Sequence, residues 1–256
     1  MGTARSQLSL VDDNQINSLA QSEYRKLINS SRLSSDSHNT RILRKVGRRI
    51  AKAAEDMMAS YGRSNEISNF RWEFNLIESK EVNAFCLPGG KVAVYTGILT
   101  YCHDEAGLAA VVGHEVAHTL LRHGAERASQ NMMANIGGNL LGLGLAIGGA
   151  SSGTSQAFMT AFSLGAQYGV LMPYSRLQEA EADRIGMNLM ALAGYHPEEA
   201  LSFWQRMAQA DSHGSTPYFL STHPSDAQRV DNLSRYLNEA KSQFTPWRET
   251  GGPDSP

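Results

Sequence analysis

The pentapeptide His114-Glu115-Val116-Ala117-His118 constrains the fold of this chain more than any other stretch of its sequence. Residues four apart lie on one face of a helix, so His114 and His118 can present two imidazole nitrogens to one metal ion. Glu115 would then stand beside that ion, where it could act as the base for an attacking water molecule. The pentapeptide therefore predicts a helix that carries half of a zinc site, with one Zn²⁺ per chain.

A second acidic helix offers the missing ligand, because catalytic zinc needs three protein ligands and an open fourth position. Within residues 179–184, Glu179 and Asp183 are four apart and share a helix face. Glu179 is the best candidate for the third ligand. Asp183 is the candidate for a carboxylate that accepts a hydrogen bond from the far nitrogen of a ligand histidine. On these residues alone a solvated acidic helix face is the commoner outcome, so the assignment stays open. Glu181 is expected to take no part in metal binding.

His123 is a competing third ligand that the spacing excludes. On a continuous helix it points about 140° away from His118. The class of zinc proteases with a third histidine needs a glycine three residues after the second histidine and the ligand six residues after it. Leu121 and Gly124 occupy those two positions here. We therefore exclude His123 from the expected ligand set.

Composition narrows the choice of partners. The 256 residues include 23 Lys and Arg against 25 Asp and Glu, which gives a net charge of −2. A chain with this balance and no basic stripe is not expected to bind nucleic acid. Its two cysteines, Cys86 and Cys102, are not expected to bind metal, and whether they pair stays open. No apolar run reaches the roughly 20 residues that a membrane span needs.

The order of patterns predicts an α+β fold that is mainly helical with a small β-sheet. Helices are expected over 10–28, 40–61, 104–127, 175–192, 198–209 and 225–240, and strands over 70–78, 82–87 and 91–96. The last two strands flank Pro88-Gly89-Gly90, which predicts a hairpin or a neighbouring pair. The expected organisation is an N-terminal helix and linker (1–37), one metal-binding domain (38–240) and a disordered tail (241–256).

Residues 128–175 contain no charged residue and are rich in Gly, Leu, Ala and Met. They are consistent with a buried helical hairpin. They are also consistent with a flexible lid or membrane-leaning flap near the active site, with the glycines supplying mobility.

Several motifs in a fixed order carry a family resemblance over about residues 40–240. They are Asn83-Ala84-Phe85 with Pro88-Gly89-Gly90, Thr96-Gly97-Ile98-Leu99, His114 to His118 followed by Arg122-His123, Ser175 to Gly186, and Thr222-His223-Pro224-Ser225. With these motifs the chain resembles metallopeptidase family forty-eight, which contains the CAAX prenyl proteases, HtpX and the Oma-type peptidases. The resemblance implies a gluzincin-type domain with zinc between two helices.

The resemblance also implies the activity and its residues. The chain would be a zinc-dependent endopeptidase that hydrolyses peptide bonds in proteins or peptides, with His114, His118 and Glu179 as ligands and Glu115 as the catalytic base. Three further roles are expected at positions with weaker signals: Asn83 and Ala84 as a strand edge that aligns the substrate, His223 as an oxyanion donor, a fourth ligand or a helix cap, and Tyr174 as an oxyanion donor.

The resemblance is greatest to the soluble bacterial branch of periplasmic proteins or lipoproteins. In that branch a run like residues 5–10 commonly follows a lipid-modified cysteine, which this sequence lacks. The expectation is therefore a protease of envelope protein quality control, associated with the membrane through a lipid anchor outside this sequence. The alternative is a zinc-containing, chaperone-like binding module with little proteolysis, against which the intact Glu115 argues.

Overall fold

The computed structural model describes residues 13–137, 174–212, 217–224 and 227–247. In chain order its elements are α1 (Asp13–Ser30), α2 (Ser37–Ser60), β1 (Glu73–Ile77), β2 (Ala84–Leu87), β3 (Lys91–Tyr95), α3 (Leu99–Cys102), α4 (Glu105–Leu120), α5 (His123–Gly137), α6 (Arg176–Leu192), α7 (Glu198–Ser212), α8 (Tyr218–Thr222) and α9 (Ala227–Ser242). Short 3₁₀ turns lie at Ser64–Glu66 and Thr96–Ile98. The expected α+β class is confirmed.

Helix α2 shows how local signals set an element. The carboxylate of Asp36 caps its first turn by accepting a hydrogen bond from the backbone N–H of Asn39, at 2.9 Å. Its apolar stripe, which includes Val46 and Ile50, is fully buried. Gly62 follows the helix with φ of 68°, a conformation that glycine adopts without steric cost.

Among the described residues the sheet has three strands, in the order β1-β3-β2. β1 runs parallel to β3, and β2 runs antiparallel to β3 with Phe85 opposite Ala93. Gly89 and Gly90, each with φ of 81°, make the connecting turn. The predicted strand pair is confirmed, and β2 lies at an edge of the sheet. Helix α1 covers one face, where the Tyr24 hydroxyl donates a hydrogen bond to the carbonyl oxygen of Val92, at 2.6 Å.

Helix α4 lies at the centre of the domain, packed against α2, α6, α7 and β2. It is capped by Asp104, whose carboxylate accepts a hydrogen bond from the backbone N–H of Gly107. Almost all of its side chains are buried, because neighbouring elements cover every side of the helix. Contact with α6 is closest at Gly186, where a Cβ would lie 3.0 Å from the backbone of His114. The histidine pair is therefore held where two helix backbones touch.

The helix predicted over 104–127 is wrong in one respect, because it is two helices. α4 ends at Leu120, and Arg122 adopts a left-handed conformation with φ of 58° before α5 begins at His123. The backbone N–H of Leu121 still bonds to the Ala117 carbonyl, which closes the last turn. The break reorients the chain directly after the metal-site motif.

The predicted disordered tail begins with an ordered part. After α9, the backbone N–H of Thr245 donates to the carbonyl of Ala191, at 3.1 Å. Phe244 stacks on His196 with ring centroids 4.7 Å apart, and the guanidinium of Arg49 lies 4.8 Å from the Trp247 ring. Residues up to 247 thus pack on the domain, and residues 248–256 lie outside the described residues.

Three further predictions concern the uncharged segment, the two cysteines and membrane-spanning helices. Most of the uncharged segment, residues 138–173, lies outside them, so its hairpin and lid interpretations remain predictions. Cys86 and Cys102 are both free thiols. Within the described ranges, none of the helices combines the length and apolar character needed to cross a bilayer.

Candidate metal centre

His114 and His118 project from α4 into one buried point. Each is 2% exposed, and their Nε2 atoms lie 3.0 Å apart. One helical turn separates them, as the spacing of four residues predicts.

Glu179 reaches the same point from the first turn of α6. That helix begins with a capping box, in which Ser175 and Gln178 exchange hydrogen bonds between side chain and backbone. The Glu179 Oε1 atom lies 3.3 Å from Nε2 of His118, and its Oε2 atom lies 3.5 Å from Nε2 of His114. The side chain is 3% exposed.

His223 completes the cluster from the end of α8. Its Nδ1 atom lies 3.2 Å from Nε2 of His114 and 3.1 Å from Oε1 of Glu179. Its backbone N–H donates to the carbonyl of Phe219, and the neighbouring Thr222 carbonyl accepts from the N–H of Tyr174. The sequence left His223 open between three roles, and the structure places its ring within the cluster.

These four residues fit a zinc ion. One ligand atom from each of His114, His118, Glu179 and His223 lies within 4.8 Å of the others, and all four side chains are buried. Tetrahedral zinc with bonds of about 2.0–2.1 Å holds its ligand atoms about 3.3 Å apart. The contacts of 3.0–3.3 Å between these atoms match that spacing. Three imidazoles and a carboxylate are also donors that zinc prefers.

Glu115 lies next to this cluster with its carboxylate buried. Its Oε1 atom makes no hydrogen bond among the described residues, and the nearest imidazole nitrogen of His223 is 3.4 Å away. Burial raises the pKa of this carboxyl, although the nearby charges of His223 and His114 oppose the shift. A buried carboxylate with a raised pKa and an uncommitted oxygen is suited to accept a proton.

Asp183 and Arg229 form a second layer behind the cluster. Oδ1 of Asp183 lies 2.9 Å from Nδ1 of His114, which is the arrangement predicted for it. Arg229 binds both carboxylate oxygens of Asp183, at 2.8 and 2.7 Å, and its Nη1 atom lies 2.6 Å from Oε2 of Glu179. Its guanidinium also stacks on Trp204, 3.3 Å from the ring centroid. No pattern in the sequence predicts Arg229 as a residue of this site.

Burial and neighbouring charges shift the pKa values of the cluster residues in different directions. Burial raises the pKa of Glu179, but the charges of Arg229 and then His223 outweigh it and hold the pKa well below its usual range. Burial lowers the pKa of His114, but hydrogen bonds with Asp183 and Glu179 outweigh it and raise the pKa to about 9. Burial also lowers the pKa of His118, in this case to well below its usual value.

His123 is buried beside His118 and does not point away from it. Its Nδ1 atom lies 2.9 Å from Nδ1 of His118, and its Nε2 atom lies 3.0 Å from Oε2 of Glu181. The predicted orientation is wrong because the helix ends before His123. The nitrogen that it approaches faces away from the cluster, and His123 is not among the four candidate ligands. Glu181, which was expected to be uninvolved, is connected to His118 through His123.

Tyr174 stacks on His118 with ring centroids 3.9 Å apart, and the guanidinium of Arg127 lies 3.7 Å from the centre of the Tyr174 ring. Burial raises the pKa of its phenol to about 12. The aromatic ring therefore covers one side of His118, and the oxyanion role stays a prediction.

Asn83 and Ala84 begin the edge strand next to the metal-site helix. The side-chain oxygen of Asn83 accepts a hydrogen bond from the N–H of Ala84, at 2.9 Å, and its backbone carbonyl accepts one from Tyr95 of β3. Because antiparallel residues alternate, Ala84 and Cys86 turn their backbone groups away from β3. The Thr119 hydroxyl, one residue after His118, donates to the Cys86 carbonyl at 2.8 Å. The edge strand is thus fixed to α4.

Comparison with known proteins agrees with the sequence resemblance. Residues 44–237 match the family described as Peptidase family M48. The chain is 36% identical to the mitochondrial metalloendopeptidase OMA1 of Schizosaccharomyces pombe over 185 residues, which cover 68% of this chain and 49% of that protein. It is 36% identical to the mitochondrial metalloendopeptidase OMA1 of Homo sapiens over 177 residues, covering 68% of this chain and 34% of that protein.

A further relative is the beta-barrel assembly-enhancing protease of Escherichia coli strain K12. It is 28% identical over 219 residues, which cover 85% of this chain and 42% of that protein. The chain therefore spans about half or less of the length of these relatives. The resemblance to metallopeptidase family forty-eight is confirmed, and the match across residues 44–237 shows that this chain belongs to peptidase family M48.

Proposed function

We propose that the chain is a zinc-dependent endopeptidase that hydrolyses peptide bonds in proteins. The observation that carries this proposal is the buried cluster of His114, His118 and Glu179 with Glu115 beside it. His114, His118 and Glu179 would hold one Zn²⁺. The bound ion would supply a Lewis acid that activates water and polarises the scissile carbonyl.

Glu115 would move the proton in this reaction. Its buried carboxylate accepts a proton from the attacking water and later donates it to the departing amine. The raised pKa of Glu115 favours both transfers, because a base with a pKa nearer neutrality holds the proton for long enough to deliver it. Asp183 would hold His114 in orientation through Nδ1.

The edge strand β2 would hold the substrate. The carbonyl of Ala84 points away from β3, on the side where an extended peptide can add as a further strand. The hydrogen bond from Thr119 to the Cys86 carbonyl keeps this edge at a fixed distance from α4. Asn83, whose side chain is bonded to the N–H of Ala84, would set the start of the pairing.

The first test compares casein hydrolysis by the zinc-loaded protein and by Glu115→Gln. We expect the variant to retain one zinc per chain and to lose about 10²–10⁴-fold in rate, because an amide cannot accept the proton. A chelator should abolish wild-type hydrolysis, and added zinc should restore it. Full activity in Glu115→Gln, or hydrolysis that chelation does not affect, would contradict the proposal.

We further propose that His223 is a fourth ligand in a resting arrangement. Its Nδ1 atom lies among the other three ligand atoms, whereas catalytic zinc keeps an open position. The segment carrying His223 would then have to move before substrate binds. Its ring stacks on Phe219 and contacts Tyr174, so moving His223 away from the cluster would cost free energy.

His223→Ala tests this role. We expect the variant to keep zinc on three ligands and to hydrolyse casein several-fold faster than the wild type, as the fourth position is open. His196→Ala is the matched control, because His196 also precedes a proline and stacks on Phe244, away from the cluster. Slower hydrolysis by His223→Ala would instead favour the oxyanion role.

We also propose that the protein acts in protein quality control at a bacterial cell envelope, on protein substrates. Its relatives include a protease named for the assembly of β-barrels and several mitochondrial endopeptidases, and residues 5–10 resemble the run after a lipid-modified cysteine. Fractionation of cells that express the protein tests this location. Recovery in the periplasmic or membrane fraction is expected, and recovery in the cytosol would contradict the proposal.

A further inference from the structure

His118 has a second set of contacts, on the nitrogen that faces away from the metal cluster. Its Nε2 atom faces His114 and Glu179, so this nitrogen is the one that would bind zinc. Its Nδ1 atom lies 2.9 Å from Nδ1 of His123. His123 in turn places Nε2 3.0 Å from a carboxylate oxygen of Glu181. Three side chains therefore form one line from the metal site towards the surface.

The break between α4 and α5 makes this line possible. On an unbroken helix the two rings would point about 140° apart. The left-handed conformation of Arg122 starts a new helix at His123, and the two ring centroids are 5.0 Å apart at an angle of 71°. His123 is fully buried, while Glu181 is 17% exposed. The line thus ends at a carboxylate that solvent can reach.

The donors and acceptors in this line fit only one placement of the imidazole protons. A carboxylate only accepts hydrogen bonds. The Nε2 atom of His123 therefore carries a proton, and this N–H donates a hydrogen bond to Glu181. In neutral His123 the other nitrogen, Nδ1, is then an acceptor, and it can accept only from a protonated Nδ1 of His118. With its proton on Nδ1, neutral His118 presents the lone pair of Nε2 to the metal. Glu181 therefore selects the tautomer of His118 that can bind zinc.

His114 has the same arrangement in a shorter form. Its Nδ1 atom lies 2.9 Å from Asp183, so a carboxylate sets its tautomer directly. His118 has a histidine inserted between itself and its carboxylate. The two ligand histidines of α4 are thus oriented by the two acidic residues that follow Glu179 on α6.

We infer that His123 and Glu181 are positioning residues for the metal site, which hold His118 in the tautomer that leaves Nε2 free for zinc. The inference rests on the proposed zinc site and adds to it a pair of residues outside the ligand set. Partners of this kind, behind a ligand, typically contribute 10–100-fold in metal affinity.

The test is zinc affinity, measured by competition with a chelating dye. Glu181→Met keeps the length of the side chain and removes the acceptor, and we expect 10–100-fold weaker binding. Glu181→Gln should restore most of the affinity, because its amide oxygen can accept the same hydrogen bond. Glu239→Met is the control, since it removes a partly exposed carboxylate that pairs with Arg184 instead.

A double variant distinguishes a positioning role of His123 and Glu181 from a general loss of structure. His123→Leu fills the buried position with an apolar side chain that cannot form hydrogen bonds, and it should weaken zinc binding as much as Glu181→Met does. The double variant should be no weaker than either single variant, because both interrupt the same line. Additive losses would overturn the inference.

A spectroscopic measurement reads the tautomers directly. Imidazole ¹⁵N shifts of the metal-free wild type should show a protonated Nδ1 on His118 and a protonated Nε2 on His123. In Glu181→Met the His118 population should shift towards a protonated Nε2. Unchanged tautomers and unchanged affinity would overturn the inference while leaving the zinc site in place. Failure of the wild type to bind zinc at all would instead contradict the proposed function.

Discussion

Arg229 balances two buried carboxylates at once. It is 5% exposed, forms two hydrogen bonds with Asp183 and an ion pair with Glu179, and stacks on Trp204. Two negative charges at this depth would be costly without it, because removing one partner leaves an uncompensated charge in a medium of low polarity. The same guanidinium lowers the pKa of Glu179, which keeps this carboxylate ionised and ready to bind a cation.

Replacing Arg229 with methionine should therefore cost stability out of proportion to the size of the change. We expect Arg229→Met to lower the free energy of unfolding of the metal-free protein by about 3–5 kcal/mol, measured by urea denaturation. Arg184→Met is the matched control, since the Arg184–Glu239 pair is exposed and should be worth less than about 1 kcal/mol. Equal losses in the two variants would show that Arg229 does not compensate buried charge.

Local spacing predicts which of the site residues share a helix face. His114 and His118 are one turn apart, and so are Glu179 and Asp183, so a helical period alone places each pair on a common face. Arg229 has no such signal, because it lies 46 residues from Asp183 and meets it only through the packing of α9 on α6. The predicted orientation of His123 is wrong because the sequence gives no sign of the left-handed conformation at Arg122, a position where glycine is usual.

The crossing of α4 and α6 decides how closely the two halves of the metal site approach. A Cβ on Gly186 would lie 3.0 Å from the backbone N and Cα of His114, and one on Gly113 would lie 3.0 Å from the Gly186 carbonyl oxygen. Backbone atoms cannot rotate away as a flexible side chain can. The two glycines therefore allow a contact that brings Glu179, on α6, to the histidines of α4.

Gly186→Ala should push α4 and α6 apart where they cross. Overpacking costs typically about 1–3 kcal/mol, which exceeds the roughly 0.5–1 kcal/mol that alanine gains over glycine within a helix. We expect a net loss of stability and at least about tenfold weaker zinc binding, measured by thermal melting and dye competition. Gly124→Ala should have the opposite effect on stability, because its Cβ would meet no atom within 4 Å. Unchanged zinc affinity in Gly186→Ala would show that the close crossing is not needed to form the site.

The zinc site joins separate parts of the domain, since its four candidate ligands lie on α4, on α6 and after α8. Contacts that need no ion also hold these parts together. Arg229 neutralises the two carboxylates, and the apolar core spans α2, the sheet, α4 and α7. We therefore infer that zinc adds to the stability of a chain that already folds, in contrast to small domains that unfold without their metal.

Removing zinc should lower the melting temperature without unfolding the protein at room temperature. A ligand present at about 100 times its dissociation constant stabilises the folded state by about 2.7 kcal/mol. For a domain of this size that corresponds to a shift of roughly 5–11 °C. Differential scanning calorimetry with and without a chelator should show this shift in the wild type and in Glu115→Gln, whose ligands are intact. Glu179→Ala, which lacks a ligand, should show little or none, and an equal shift in that variant would mean that the stabilising ion binds elsewhere.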